Sequence, residues 1–248
     1  MLLRTRQTPL PHGGIVRAGL FYVGYVLFTV FWGTLSVTVG WAMPARQRFE
    51  FIIGIWSRRV LGWLRLTCGI RVEVQGLEHI PRQACVVFAH HESTWETLFL
   101  QSLFRPQATL IKRELLWIPF FGWAFALNKP IAIDRGSPRQ ALRKLIDTGR
   151  SRLADGTSVV LFPEGTRMPP GEIGSFQPGG AALAIAAEAP VVVVAHNAGR
   201  YWPAHRLRKT PGVIQVRIGP PVATAGRKSK AVNAEARELM AALVKRLD

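Results

Sequence analysis

The longest stretch without a charged residue constrains this chain more than any other feature. It runs from Ala18 to Ala45, a span of 28 positions. As one helix it would be about 42 Å long, more than the roughly 30 Å hydrocarbon core of a bilayer. A signal peptide fits poorly, because its apolar region is only about 7–15 residues long. The run therefore predicts insertion into a membrane.

The topology of this segment stays open at the level of sequence. Basic residues flank it on both sides, so the distribution of Lys and Arg indicates no clear orientation. One tilted span satisfies the pattern, and so does a shallow helical hairpin broken at Gly33 or Gly40. Residues 49–66 then mix aromatic residues with arginines, which predicts a helix at the membrane interface. We expect residues 1–66 to form an N-terminal membrane-associated helical segment.

Residues 67–248 have the pattern of one α/β domain. Short apolar runs, which predict strands, alternate with segments of helical character. The predicted strands are 84–89, 109–111, 130–133, 158–162, 191–195 and 213–218, and the predicted helices are 94–104, 138–154, 179–188 and 233–247. This alternation predicts a central, largely buried sheet flanked by helices.

The charge of the chain indicates an anionic partner. The formal net charge is +17, and no acidic residue lies between Glu188 and Glu235. The basic residues of that interval predict either a solvated face or a face that rests on anionic lipid. A membrane-tethered nucleic-acid-binding protein is the alternative from another class. No zinc spacing, recognition helix or aromatic RNA motif supports it, so we expect no nucleic-acid partner.

The first group of candidate catalytic residues follows the predicted strand 84–89. His91 and Glu96 are five positions apart, which on one continuous helix would turn them about 140° away from each other. They can meet only if His91 precedes the helix and Glu96 lies in its first turn. Ser93 as the N-cap, with Glu96 as its capping-box partner, fits that layout and also gives Glu96 a purely structural alternative. In the catalytic interpretation, His91 takes the proton of an acceptor hydroxyl while Glu96 orients the imidazole.

Two further groups also end predicted strands. Phe162-Pro163-Glu164-Gly165-Thr166-Arg167 combines turn residues with a glycine that admits close approach of an anion and an arginine suited to phosphate. Ile133-Asp134-Arg135 ends another strand, and its last two residues are alternatively a surface ion pair. A serine hydrolase is disfavoured, because the chain has no Gly-x-Ser-x-Gly.

Together these motifs resemble the 1-acylglycerol-3-phosphate acyltransferase family. That family has a His followed after four residues by an acid, a block ending in Ile-Asp-Arg, and the block Phe-Pro-Glu-Gly-Thr-Arg. The chain matches them with His91 and Glu96, with 133–135 and with 162–167, over roughly residues 70–220. Lys112 also resembles a family position linked with phosphate binding. The acid of the first motif is usually Asp in the family, so Glu96 is a departure.

The resemblance implies a complete functional expectation. An acyl group passes from acyl-CoA or acyl-ACP, as co-substrate, to the sn-2 hydroxyl of lysophosphatidate, and phosphatidate forms; another lysolipid, such as a lyso-ornithine lipid, is the alternative acceptor. His91 and Glu96 are the expected catalytic pair, and no metal or other cofactor is expected. The expected location is the bacterial inner membrane, with the catalytic domain on the cytoplasmic face. The residues expected to bind substrate are Lys112, Arg135, Glu164, Gly165, Thr166 and Arg167.

Overall fold

A computed structural model describes residues 14–134 and 136–247 of the chain. The helices are α1 (Gly14–Val39), α2 (Ala45–Phe49), α3 (Trp56–Cys68), α4 (Trp95–Leu103), α5 (Phe121–Ala126), α6 (Pro138–Ala154), α7 (Gly179–Ala186) and α8 (Ser229–Val244). The strands are β1 (Ile70–Gln75), β2 (Val86–Ala89), β3 (Gln107–Lys112), β4 (Ile131–Ile133), β5 (Ser158–Leu161), β6 (Val191–His196) and β7 (Gly212–Ile218). The predicted α/β class is confirmed.

All seven strands belong to one sheet, in the order β1-β7-β6-β2-β5-β3-β4. Every neighbouring pair is parallel except β6 and β7. Strands β6, β2, β5, β3 and β4 therefore point the same way, and their carboxyl ends lie at one edge of the sheet. In open α/β sheets this edge is where ligands bind.

Helices cover both faces of the sheet. Val86 and Phe88 of β2 pack into the cluster that holds α6, α7 and α8, whereas Val87 and Ala89 pack into the cluster that holds α1, α3 and α4. This division follows from the strand period of two, which sends successive side chains to opposite faces. Because both faces are covered, β2 is a continuous apolar run rather than an alternating one.

The N-terminal helices form a hairpin. The indole N–H of Trp63 in α3 donates to the carbonyl of Phe21 (3.2 Å), and that of Trp32 donates to the carbonyl of Phe51 (3.0 Å). Helix α1 continues through Gly33 and ends at Val39, and a π-helical segment connects α2 to α3. The uncharged run is therefore one arm of the hairpin rather than both.

The outer face of α1 is apolar and exposed. Val16 is 77% exposed, Leu27 65% and Phe31 64%. Within residues 14–134 and 136–247, one helical segment, Gly14–Ala42, is long and apolar enough to cross a bilayer, and only 11% of its most apolar window is buried. This surface fits association with a membrane.

The predicted elements of the domain are present, with ends shifted by a few residues. Two elements were not predicted, namely β1 and α5. Strand β1 lies at the edge of the sheet and only Ile70 in it is buried, so it shows no apolar run.

Helix α3 ends at Cys68, where Gly69 adopts a left-handed conformation (φ 68°) that accommodates the helix terminus.

Candidate active site

Side chains from the carboxyl ends of the parallel strands meet in one polar cluster. His90 and His91 follow β2, Glu164 follows β5, and His196 is the last residue of β6. Strands β5 and β6 flank β2 on either side, so the sheet order places these residues next to one another.

The predicted contact between His91 and Glu96 is present. The ring N–H at Nδ1 of His91 donates to Oε1 of Glu96 at 2.8 Å. Glu96 is fully buried, while the side chain of His91 retains 16% exposure. With the proton held on Nδ1, the neutral imidazole has its lone pair on Nε2, and within the described parts of the chain no hydrogen bond reaches that atom. The geometry is that of a general base with an orienting acid.

Glu96 also caps helix α4, so the catalytic and the structural interpretations of this residue are both compatible with the structure. Its Oε1 accepts the backbone N–H groups of Ser93 (2.8 Å) and Glu92 (3.2 Å). Helix α4 begins at Trp95, and Thr94 in the N-cap position makes no side-chain capping bond. The capping interaction comes from Ser93 and Glu96, as predicted, because the hydroxyl of Ser93 accepts the N–H of Trp95 while Glu96 accepts the N–H of Ser93. The same hydroxyl donates to the carbonyl of Trp202.

Glu164 fixes the loop after β2, which carries His91, through hydrogen bonds. Its carboxylate accepts the backbone N–H of His91 (3.0 Å), the Nδ1–H of His90 (3.1 Å) and the backbone N–H of Gly174 (3.2 Å). Phe162, two residues earlier, stacks on the His91 ring with centroids 4.2 Å apart. Residues of the block 162–167, which follows β5, therefore hold in place the loop after β2 that carries His91.

His90, which directly precedes His91, is fully buried. Its Nε2–H donates to Glu92 at 3.0 Å, so the ring lies between two carboxylates. Burial disfavours the imidazolium, but the hydrogen bonds to Glu164 and Glu92 outweigh it and raise the pKa of His90 to about 9. Burial alone would raise the pKa of Glu92, yet the bond from His90 lowers it below the ordinary value. His90 is therefore charged at neutral pH and joins Glu164 to Glu92 through its two ring N–H groups.

No sequence pattern singles out His196, but the structure places it inside this cluster. Its Nε2–H donates to the carbonyl of His90 (2.8 Å), and its Nδ1 accepts the N–H of Ala198 (3.2 Å). Burial lowers the pKa of His196, in spite of the nearby carboxylates of Glu96 and Glu92, and keeps it neutral. The available signal was a polar residue at the end of an apolar strand, which becomes informative only when β6 is known to lie beside β2.

Comparison with known proteins agrees with this geometry. The family model described as Acyltransferase matches residues 71–197. A 1-acyl-sn-glycerol-3-phosphate acyltransferase from Pseudomonas aeruginosa is 48% identical over 217 residues, which cover 88% of this chain and 84% of that protein. The alpha form from Homo sapiens is 35% identical over 209 residues, 83% of this chain and 71% of that protein. The chain belongs to the acyltransferase family.

A solved structure shows that the fold is also shared. The 1-acyl-sn-glycerophosphate (LPA) acyltransferase from Thermotoga maritima superimposes with a TM-score of 0.80 and 24% identity, covering 94% of this chain and 95% of that one. The comparison extends over the N-terminal hairpin as well as the sheet, because the covered fraction is nearly the whole chain.

Two of the three basic residues predicted to bind phosphate, Arg167 and Lys112, lie among the described residues. The guanidinium of Arg167 donates to the hydroxyl of Thr94, the N-cap of α4, at 3.2 Å. Lys112 is exposed at the end of β3, in register with Ile133 at the end of β4. Arg135 lies outside the described residues.

Gly165 and Thr166 form the turn that connects Glu164 to Arg167. Gly165 has a φ of 72°, a left-handed conformation that costs glycine little. Thr166 is exposed, whereas Glu164 is buried and contacts the protein rather than the surface. Within the described ranges, no group of three or more His, Cys, Asp or Glu side chains is arranged to hold a metal ion.

Proposed function

We propose that this acyltransferase moves an acyl group from a thioester to the sn-2 hydroxyl of lysophosphatidate, giving phosphatidate in phospholipid biosynthesis. The observation that carries the proposal is the 2.8 Å hydrogen bond from His91 Nδ1 to buried Glu96. It stands in a chain 48% identical to a 1-acyl-sn-glycerol-3-phosphate acyltransferase.

The proposed reaction proceeds through one tetrahedral intermediate. Nε2 of His91 takes the proton of the acceptor hydroxyl as its oxygen attacks the thioester carbonyl carbon. Glu96 stabilises the imidazolium that forms, because its carboxylate already accepts the Nδ1 proton. The intermediate collapses by breaking the C–S bond, and the imidazolium returns the proton to the departing thiolate. General-base assistance of this kind contributes about 10²–10⁴ to the rate.

The phosphate of the acceptor is proposed to lie between basic side chains near His91. Arg167 is tied to the N-cap of α4, the helix that carries Glu96, so its guanidinium is held close to the catalytic pair. Lys112 is the last residue of β3, at the same edge of the sheet as the site. Arg135 comes two positions after β4 in the sequence and is proposed to contribute to the same phosphate site. Gly165 and Thr166 shape the turn before Arg167. Glu164, which was expected among the substrate-binding residues, is proposed to act through the loop it holds.

The membrane supplies the amphiphilic substrates in this proposal. The exposed apolar face of α1 supports attachment to a bilayer, and we place the enzyme at the bacterial inner membrane with the domain on the cytoplasmic side, where acyl-CoA and acyl carrier protein are found. The enzyme is proposed to need no cofactor and no nucleic acid.

A panel of acceptors tests the substrate. Purified enzyme is incubated with lysophosphatidate, lysophosphatidylcholine and a lyso-ornithine lipid, each with labelled acyl-CoA and acyl-ACP, and the product is analysed for the acylated position. Rapid turnover of lysophosphatidate at the sn-2 position is the expected result. Preference for the lyso-ornithine lipid would replace the acceptor and keep the chemistry. Salt-sensitive nucleic-acid binding without turnover of any lipid would overturn the proposal.

A further inference from the structure

A basic loop lies outside the active site and has no role in the proposed reaction. It covers residues 202–210 and connects the end of β6 to β7. Arg206 and Arg208 are exposed, and Leu207 between them is 74% exposed. No acidic residue occurs nearby in the sequence, because the chain has none between Glu188 and Glu235. In water, the apolar side chain of Leu207 gains no burial from this position between two arginines.

Lys209 fastens the basic loop to the membrane helix α1. Its Nζ lies 3.9 Å from the ring centroid of Tyr22, 4.4 Å from that of Trp202 and 4.9 Å from that of Phe21. Only 5% of the lysine is exposed, and Nζ donates to the carbonyl of Leu207 (3.2 Å). Ammonium groups are attracted to aromatic ring faces at these distances. Two of the three rings belong to α1 and the third to the loop, so the lysine joins the two elements.

The neighbouring part of α1 presents its apolar face to the outside. Leu20 is 52% exposed and Val23 58%, and these residues flank Phe21 and Tyr22, which hold Lys209. The basic loop and the surface that fits a membrane are therefore continuous. Arginines beside an apolar surface match the headgroup region of an anionic bilayer, where basic side chains are attracted and short apolar side chains enter the interface.

We propose that the basic loop, residues 202–210, rests on an anionic lipid surface, with Leu207 inserted between headgroups and Arg206 and Arg208 against lipid phosphates. An acidic carrier protein would share the charge complementarity. The lipid surface is favoured because the loop is joined through Lys209 to the exposed apolar face of α1.

The position of this contact is relevant to the site. The hydroxyl of Ser93, two residues after His91, donates to the carbonyl of Trp202 at 2.6 Å. The proposed lipid contact therefore lies next to the loop that carries His91.

A fluorescent probe on Leu207 tests the contact directly. The Leu207→Cys enzyme is labelled with an environment-sensitive NBD group and reconstituted into phosphatidylcholine vesicles with or without phosphatidylglycerol. Cys68 and Cys85 are buried, and wild-type enzyme taken through the same labelling measures their background. With phosphatidylglycerol present, a nitroxide on the lipid is expected to quench the probe at least twofold more than in phosphatidylcholine alone, while aqueous iodide loses access. High salt should reverse the difference, since it screens exposed charges.

Matched charge variants separate the loop from the net charge of the protein. Arg206→Gln with Arg208→Gln should abolish the effect of phosphatidylglycerol. Lys144→Gln with Arg150→Gln removes the same charge from exposed positions on α6, at the opposite face of the sheet, and should leave it intact. Equal iodide access in both lipid mixtures would overturn the proposal. So would protection of the probe by acyl carrier protein in detergent without any response to anionic lipid, which would identify a protein partner instead.

Discussion

The N-terminal hairpin and the active-site edge of the sheet depart in opposite ways from the usual arrangement of a soluble protein. In α1, large apolar side chains such as Leu27 and Phe31 are exposed. At the carboxyl ends of the strands, ionisable side chains such as His90, Glu92 and Glu96 have no more than 1% exposure. An exposed apolar helix is stable where hydrocarbon replaces water, whereas buried ionisable groups are tolerated only when each has a partner.

The difference shows where each region obtains its stability. Within the described ranges, the outward face of α1 is mostly not buried against protein, so this face fits contact with a membrane. The polar cluster requires only itself, since most of its donors and acceptors meet inside the protein. Substitutions of the buried members of the cluster should therefore lower stability, and substitution of the partly exposed His91 should mainly lower catalysis. Substitutions on the outer face of α1 should affect attachment to the membrane.

The largest effect is expected from His91→Ala. Loss of the base should lower kcat by about 10²–10⁴, with little change in the unfolding temperature, because His91 is the partly exposed member of the cluster. Steady-state kinetics and thermal unfolding in the same detergent measure both quantities. His205→Asn, an exposed histidine outside the site, is the control and should keep full activity. Near-wild-type turnover by His91→Ala would remove this residue from the mechanism.

The next largest effect is expected on the free energy of unfolding, when a buried ion pair is broken rather than an exposed one. Glu164→Gln removes a carboxylate that accepts three N–H groups, including that of charged His90. Breaking one partner of such a buried pair costs about 3–5 kcal/mol. Glu235→Gln breaks the surface pair with Arg227, whose side chains are 31% and 50% exposed, and should cost at most about 1 kcal/mol. Denaturant unfolding of both variants measures the contrast, and similar losses would show that the cluster is not a buried ionic network.

The pH dependence of stability tests the charge on His90. Its pKa is raised in the folded state from 6.5 to about 9, so the stabilisation is complete below about pH 6.5 and is lost as the pH rises through about 9. The contribution is on the order of 3 kcal/mol. Unfolding temperatures of wild type and His90→Asn, compared across this interval, isolate the effect. Lys209, whose pKa burial lowers to about 8, titrates in both proteins and cancels in the difference. Parallel profiles would indicate that His90 is neutral.

The same two regions show what the sequence could predict. The uncharged run, the strands of the parallel sheet and the His91–Glu96 contact follow local patterns, namely apolar length, short apolar runs and residue spacing. The roles of Glu164 and His196 do not, because they depend on contacts between residues on different strands. The expectation that Glu164 binds substrate followed from its motif. The structure adds that its carboxylate accepts hydrogen bonds from His90 and His91 after β2 and from Gly174.

The sequence also left open whether the uncharged run is one helix or a hairpin, because that depends on contacts with other parts of the chain. Local sequence shows where a helix can break, and both Gly33 and Gly40 qualified. The helix continues through Gly33, which lies against Phe120, and a Cβ added there would be only 2.9 Å from the backbone of that residue. This glycine is needed for close packing between α1 and the start of α5, a contact that no local pattern reveals.

The smallest effect on catalysis is expected from Leu27→Asn on the outer face of α1. Leu27 is 65% exposed, so its loss should change neither the unfolding of the domain nor kcat with a detergent-dispersed acceptor. In a bilayer the same substitution removes a leucine from hydrocarbon and should weaken attachment by about 2 kcal/mol. Flotation with vesicles after a urea wash measures the bound fraction. Phe21→Asn supplies the contrast on the same helix, because Phe21 is fully buried against the domain and its loss should lower the unfolding temperature. If Leu27→Asn instead destabilised the domain and left flotation unchanged, the outer face of α1 would be packed against protein, and the contrast between the two regions would be lost.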